Sequence, residues 1–243
     1  MDLHADRHLD WDGCFNVRDL GGMPTADGGA VRRGALVRAD AVDSLTASGW
    51  EALWEHGVRT VVDLRNDDEL GPDAAPRPAG LTTLHLPLDG IEDTEFWSRW
   101  SDGPDGTPLY YRPFLDRFPQ RAARVVSAVA RAEPGGVLFH CAVGRDRTGL
   151  VAILLLTLAG VAPEVVAADY ELSLDRVPAR LAALGRPDDR EEIQALMDKE
   201  GTTFREAVVS LAAGFDMADR LCSAGGLPRE DIEAFRARLT ASR

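Results

Sequence analysis

The stretch VLFHCAVGRDRTG, residues 137–149, constrains the fold of this chain more than any other part of its sequence. The apolar run 137–139 is typical of a buried strand, and Cys141 follows just after it. A short glycine-containing loop leads to Arg147, and the strongly apolar segment 150–156 comes directly afterwards. The stretch therefore predicts a strand, a tight loop and a buried helix in direct succession.

The loop between this strand and this helix suits an anion. Backbone N–H groups of such a loop can converge on one anion, and the helix N-terminus adds a partial positive charge. Arg147 can donate hydrogen bonds to two phosphate oxygens. The loop N–H groups and Arg147 also favour the thiolate form of Cys141, which could then attack phosphorus. The Thr148 hydroxyl could hydrogen-bond the sulfur and ease its departure. The expected anion-binding amides are those of Ala142, Val143, Gly144, Arg145, Asp146 and Arg147.

This loop resembles that of the cysteine-dependent protein tyrosine phosphatases, in which His-Cys is followed by five residues, Arg, and then Ser or Thr. Its Asp-Arg-Thr-Gly ending is similar to that of a bacterial branch, some members of which also act on phosphoserine, phosphothreonine or phosphoinositides. The segment FNVRDLGG, residues 15–22, resembles an Asn-Phe-Arg-Asp-Leu-Gly-Gly motif of that branch, with Val17 in place of Phe. The resemblance implies hydrolysis of phosphotyrosine in proteins, or of small phosphoesters, through a cysteinyl-phosphate on Cys141. It implies no metal and no cofactor.

The group that protonates the leaving oxygen is open at this point. The sequence has no convincing Trp-Pro-Asp motif, and the resemblance implies the loop aspartate, Asp146. Its neighbours Arg145 and Arg147 favour the charged carboxylate, whereas a bound phosphate dianion would favour the protonated acid. Asp89, just past a predicted strand, and Asp63, at the end of another, are the alternatives.

Further polar residues lie at predicted strand ends, where parallel sheets build their sites. Asp63 and Arg65 end the strand 58–64 and are candidates either for the pocket wall or for an ion pair that steadies the loop. His140 is expected to orient the loop and to tune Cys141 by hydrogen bonding. Its side chain should point away from the cysteine, because side chains alternate along a strand. A satisfied core histidine is the alternative.

Two other segments have two interpretations each. Arg18 either forms an ion pair with Asp19 that pins the N-terminal segment or contacts the substrate directly. The aromatic segment 91–118 either forms a flap over the site or packs a loop onto the core.

Predicted strands and helices alternate from residue 43 to residue 172. This alternation predicts an α/β fold with a mainly parallel central sheet flanked by helices, which is also the fold that the phosphatase resemblance implies. The whole chain, 1–243, suits a single domain. Residues 173–214 continue the helical pattern with a break at Pro178; the resemblance implies a helical lid there, and helices packed on the core are the alternative. We expect strands at 31–37, 58–64 and 84–88, and helices at 43–57, 120–133, 163–172 and from 225 onward.

Charge and cysteine content narrow the function further. The net charge of −13 argues against nucleic acid and against anionic membranes as partners. The branch commonly has Lys at the position of Arg145, and this difference, with the acidic surface, favours phosphotyrosine over lipid headgroups. The three cysteines at 14, 141 and 222 are widely separated and show neither the pattern of a disulfide framework nor the spacing of a metal site, which favours reduced thiols and a cytoplasmic location. The longest apolar run, 149–162, is shorter than the ~20 residues that a membrane span needs.

Two other function classes compete with an esterase. One is a phosphopeptide-binding module without turnover, which the joint presence of Cys141, Arg147 and Thr148 disfavours. The other is a sulfurtransferase of the rhodanese type, which also uses a cysteine in an anion-binding loop. The His before the cysteine and the Asp-Arg-Thr-Gly after it fit that class poorly.

Overall fold

The computed structural model describes residues 7–101 and 103–239, and within these residues five strands form one sheet. The strands are β1 (Arg18–Asp19), β2 (Leu36–Ala39), β3 (Val58–Asp63), β4 (Thr82–His85) and β5 (Gly136–His140). Their order is β1-β2-β5-β3-β4, with β1 antiparallel to β2 and all other neighbours parallel. The predicted mainly parallel sheet is confirmed.

The register of the central strand fixes where the loop lies. His140 of β5 pairs with Ala39 of β2 on one side and with Asp63 of β3 on the other. Asp63 in turn pairs with His85 of β4. The carboxyl ends of four parallel strands therefore meet at one edge of the sheet, and the chain that leaves β5 there is the predicted loop.

Helices flank the sheet, as predicted. The described residues form ten α-helices: α1 (Ala47–Glu55), α2 (Thr94–Trp97), α3 (Tyr111–Arg117), α4 (Pro119–Arg131), α5 (Asp146–Leu158), α6 (Pro163–Ala183), α7 (Arg190–Lys199), α8 (Phe204–Gly214), α9 (Met217–Ser223) and α10 (Arg229–Leu239). Ten of the thirteen residues of α5 are buried, so it is the central helix that its apolar sequence predicts. None of the helices in the described ranges is both long and apolar enough to cross a membrane.

Both faces of the sheet carry a hydrophobic core. Val137 and Phe139 of β5 belong to the larger core, which also contains α4 and α5. Leu138, between them, faces the other way and packs with Trp50 and Leu53 of α1. Because successive side chains of a strand point to opposite faces, the two cores together hold β5 and therefore the start of the loop.

Some predicted boundaries are wrong for local reasons. The strand expected at 31–37 begins only at Leu36, because Val31 exchanges main-chain hydrogen bonds with Gly22 and Met23 instead. The helix expected at 43–57 is a 3₁₀ turn followed by α1, whose N-terminus is capped by the Thr46 hydroxyl. The strand expected at 84–88 is β4, which begins and ends earlier.

The break expected at Pro178 is also wrong. Helix α6 runs from Pro163 to Ala183 and contains Pro178 in its interior. A proline removes one helical hydrogen bond, but Val177 and Leu181 on either side of it are buried. We infer that this packing offsets the loss and keeps the helix continuous.

Candidate active site

The motif forms the turn between β5 and α5, and the helix begins at Asp146, inside the motif rather than after it. Cys141 lies directly after the strand and is 1% exposed. Gly144 has a φ of 75°, and a Cβ at this position would lie 2.7 Å from the carbonyl oxygen of Ala39. Only glycine fits such a turn, which lets the loop pass close to β2.

A cavity of about 340 Å³ lies against this loop. The predicted site residues that line it are Asp89, Cys141, Ala142, Val143, Arg145, Asp146 and Arg147. The other lining residues are Glu69, Trp97, Gly103, Asp105, Gly106, Tyr110, Leu181, Arg186, Asp189, Glu192 and Ile193. The structure thus brings together the cysteine, the arginine and two of the three candidate acids.

Arg147 is held by a carboxylate that sequence reasoning missed. Both of its terminal nitrogens donate to the carboxylate of Glu69, and Nη2 lies 2.6 Å from Oε1. Its Nη1 also lies 3.2 Å from Oδ2 of Asp89. Burial alone would lower the pKa of Arg147, but Glu69, Cys141 and Asp89 raise it, so the guanidinium stays charged. The sequence marks Glu69 only through its spacing from Asn66, which is typical of a capping box. In the structure the Asn66 main-chain N–H donates to the Glu69 carboxylate.

The two candidate acids in the cavity have different surroundings. Asp146 accepts a hydrogen bond from Nε of Arg145 at 3.2 Å. Asp89 accepts one from Nδ2 of Asn66 at 2.9 Å, and burial raises its pKa in spite of the nearby Arg147 charge. Asp89 therefore keeps its proton to a higher pH than an exposed aspartate does.

The Arg145 side chain connects the loop to the helical C-terminal part. Its Nη1 and Nη2 donate to the two carboxylate oxygens of Asp189 at 2.9 and 2.7 Å. Burial alone would lower the pKa of Arg145, but Asp146 and Asp189 raise it. Protein carboxylates therefore hold the guanidinium of Arg145, as Glu69 holds that of Arg147.

Asp63 and Arg65 do not line the cavity, so their expected place in the pocket wall is wrong. Arg65 donates to Asp63 at 2.8 Å through Nη2 and to Asp43 at 2.5 Å through Nη1. The Arg65 guanidinium and the two carboxylates form buried ion pairs with one another beside the loop. The structure therefore has the ion-pair alternative for Asp63 and Arg65.

His140 and Thr148 also lie outside the cavity wall. The His140 ring is fully buried, and its Nδ1 lies 3.2 Å from the carbonyl oxygen of Cys141. Burial lowers the pKa of His140 to about 4, so the ring is neutral near pH 7. The Thr148 hydroxyl donates to the carbonyl of Ala39 at 3.5 Å, so the expected hydrogen bond to the sulfur is replaced by one to β2.

Both expectations for Arg18 are wrong. Its side chain is completely buried away from the cavity, and its Nε donates to Oδ1 of Asp169 in α6 at 3.0 Å. Asp19 instead accepts from the main-chain N–H groups of Gly21 and Gly34. No local pattern marks Asp169, which follows Arg18 by 151 residues, so sequence reasoning could not pair them.

The aromatic segment 91–118 packs onto the core, and two of its residues border the cavity. Trp97 and Tyr110 line the cavity. Phe96 packs edge-on against Phe118, with ring centroids 5.0 Å apart. Part of the segment therefore borders the site, and the rest packs onto the core.

A cysteine just after a parallel strand and an arginine in the first turn of the next, buried helix form the type of site found in cysteine-dependent phosphatases. Sequence comparison gives the particular family. The model of the tyrosine phosphatase family matches residues 9–241. The chain therefore belongs to the tyrosine phosphatase family, which confirms the family that the sequence resembles.

Three relatives show how far the similarity extends. A tyrosine-protein phosphatase of Nostoc commune is 31% identical over 171 residues, which are 70% of this chain and 56% of that protein. A Cupriavidus necator protein named as a tyrosine-protein phosphatase is 33% identical over 192 residues, 74% of this chain and 70% of that protein. The triple specificity protein phosphatase PtpB of Mycobacterium tuberculosis is 31% identical over 218 residues, 77% of this chain and 75% of that protein. The chain thus spans little more than half the length of the first of these relatives.

Proposed function

We propose that this chain hydrolyses phosphotyrosine through a cysteinyl-phosphate intermediate. The observation that carries the proposal is the presence of Cys141 and Arg147 on the wall of one cavity, at the N-terminus of α5. The partial positive charge of a helix N-terminus favours both a thiolate and a phosphate dianion. Arg147 adds a permanent positive charge next to both.

The reaction has two steps. First, the Cys141 sulfur attacks phosphorus, so that an S–P bond forms and the P–O bond to the leaving group breaks as Asp146 protonates that oxygen. Water then attacks phosphorus and gives a proton to Asp146, and the S–P bond breaks to release inorganic phosphate and the thiolate. The loop amides and Arg147 hold the equatorial oxygens more tightly as charge builds up in each transition state.

Asp89 is the second candidate for the acid, because burial raises its pKa. The variants Asp146→Asn and Asp89→Asn separate the two candidates in the pH profile of kcat for an aryl phosphate with a poor leaving group. We expect Asp146→Asn to lose the basic limb of the profile and Asp89→Asn to keep it. The opposite pattern would assign the proton transfer to Asp89.

The cavity favours an aryl phosphate over a lipid headgroup. Trp97 and Tyr110 offer aromatic surface to a phenyl ring, and Asp105 and Glu192 add negative charge that repels a polyphosphorylated inositol. Phosphate release from a phosphotyrosine peptide, a phosphoserine peptide and phosphoinositide vesicles tests this preference. We expect the highest kcat/KM with phosphotyrosine, and a higher value with the vesicles would contradict it.

The competing functions predict different products. Sulfur transfer from thiosulfate without phosphate release would identify a sulfurtransferase. Tight binding of a phosphotyrosine peptide without turnover would identify a binding module. We expect phosphate release, and neither of these results.

The proposal includes a helical lid formed within residues 173–214. Leu181, Asp189 and Ile193 of this segment line the cavity, and Asp189 is tied to the loop through Arg145. Opening of this segment would widen the entrance for a substrate on a protein.

The proposal also includes a cytoplasmic location, because the cysteines at 14, 141 and 222 are free thiols that suit a reducing compartment.

A further inference from the structure

A buried polar cluster lies behind the phosphate loop, outside the cavity wall. It joins Asn16, Arg18 and Arg38 to Asp169, and each of these side chains is at most 1% exposed. We propose that Asn16 and Arg38 are positioning residues, which aim the amides of the loop at the bound phosphate. The inference rests on the proposed function, because that function gives the amides their phosphate.

Successive carbonyl groups of the loop are each held by a donor from another part of the chain. The carbonyl oxygen of Val143 accepts from Nδ2 of Asn16 at 3.1 Å. The next one, that of Gly144, accepts from Nη2 of Arg38 at 2.8 Å. The preceding one, that of Ala142, accepts from a main-chain N–H just after β2 at 3.2 Å.

A held carbonyl also fixes the direction of an amide. The C=O and N–H of a trans peptide group point to opposite sides. The three held carbonyl groups belong to the same peptide groups as the N–H groups of Val143, Gly144 and Arg145. With the oxygens bound behind the loop, these N–H groups point to the side where Cys141 and Arg147 line the cavity. A flipped peptide would instead present an oxygen to the phosphate and leave a buried donor unsatisfied.

Asp169 fixes both side-chain donors. Its Oδ2 accepts from Nη1 of Arg38 at 2.7 Å, and its Oδ1 accepts from Nε of Arg18 at 3.0 Å. Arg18 in turn donates to Oδ1 of Asn16 at 2.6 Å, and Ser173 accepts from both arginines. Burial alone would raise the pKa of Asp169, but the charges of Arg18 and Arg38 hold it far below the usual range. The Asp169 carboxylate therefore stays charged near neutral pH and can hold both arginines.

Arg38→Lys tests the positioning role. A lysine keeps the positive charge, but its single ammonium group cannot replace a guanidinium that binds Asp169 and the Gly144 carbonyl at once. We expect the dissociation constant for inorganic phosphate to rise about tenfold and kcat for an aryl phosphate to fall about tenfold or more.

Arg238→Lys is the matched control. Arg238 also donates to a main-chain carbonyl, that of Gly135 at 2.9 Å, but it does so at the amino end of β5, far from Cys141. We expect Arg238→Lys to lower thermal stability without a change in phosphate affinity. A cluster that only stabilised the fold would make the two variants behave alike.

Calorimetric titration with inorganic phosphate is the primary experiment, because binding can be measured without turnover. In NMR spectra, phosphate should shift the amide resonances of Gly144 and Arg145 in the wild-type chain and in the control, but much less in Arg38→Lys. A folded Arg38→Lys variant that shows the phosphate affinity and the phosphate-induced amide shifts of the wild-type chain would overturn the inference. If that variant does not fold, Asn16→Ala removes the other donor, and an unchanged affinity there would overturn it equally. A wild-type chain that binds phosphate with these shifts but shows no turnover would contradict the proposed function alone.

Discussion

At the scale of single residues, Arg147 decides how the proposed enzyme holds phosphate. Lysine in its place keeps the charge but loses the planar fork that can bind two phosphate oxygens and Glu69 together. We expect Arg147→Lys to lower kcat for an aryl phosphate about 100-fold or more, while the chain stays folded. Arg112→Lys, on the exposed side of α3, is the control and should keep wild-type kinetics. Similar kcat values for the two variants would contradict the assigned role.

Asp89 gives a pH-dependent stability prediction. Burial raises its pKa in the folded chain above the value of about 3.9 in the unfolded chain, so its ionisation costs stability as the pH rises through the folded value. Asp89→Asn removes this cost. We expect the variant to melt about 2 °C or more above the wild type near pH 8 and at about the same temperature near pH 4. Thermal unfolding at the two pH values checks this, and a lower Tm near pH 8 would contradict it.

Sequence reasoning identified the residues that share a local spacing and missed those that meet across the chain. Cys141 and Arg147 lie six residues apart, just after β5 and in the first turn of α5, so their spacing alone predicted a common site. Glu69 comes 78 residues before Arg147, and Asp169 comes 151 residues after Arg18. Tertiary packing creates these contacts, and the local spacing marks Glu69 only as a capping partner of Asn66.

At the scale of secondary structure, prediction worked where the apolar pattern was long and uninterrupted. The strands β3 and β5 and the helices α4, α5 and α10 lie close to their predicted positions. The prediction failed at Val31, which pairs with Gly22 and Met23 instead of extending β2, and at Pro178, where packing overrides the preference of the residue. In both places the deciding contacts lie outside the local pattern.

The contact between Asp189 and Arg145 tests the proposed lid. Asp189→Asn replaces a two-pronged ion pair with a weaker hydrogen bond, so the start of α7 should open more often. We expect faster hydrogen exchange in α7 and an unchanged rate in α10, which serves as the internal control. Equal exchange of α7 in the variant and the wild type would show that this ion pair does not hold the segment.

At the scale of the whole molecule, the parallel sheet explains why one loop can collect so many functional groups. The carboxyl ends of β2, β3, β4 and β5 meet at one edge, so Asp89, beyond β4, lies beside Arg147, beyond β5. The alternation of strands and helices predicted this sheet. The full order of its strands, with β5 in the centre, depends on tertiary contacts that the local pattern does not contain.

The central claim is that phosphate is transferred through Cys141, and phosphate release from an aryl phosphate tests it most directly. The measurement compares the wild-type chain with Cys141→Ser and with Cys222→Ser, whose cysteine lies in α9 and outside the cavity. We predict that turnover disappears in Cys141→Ser and stays at the wild-type rate in Cys222→Ser. Wild-type turnover by a folded Cys141→Ser variant would contradict the account.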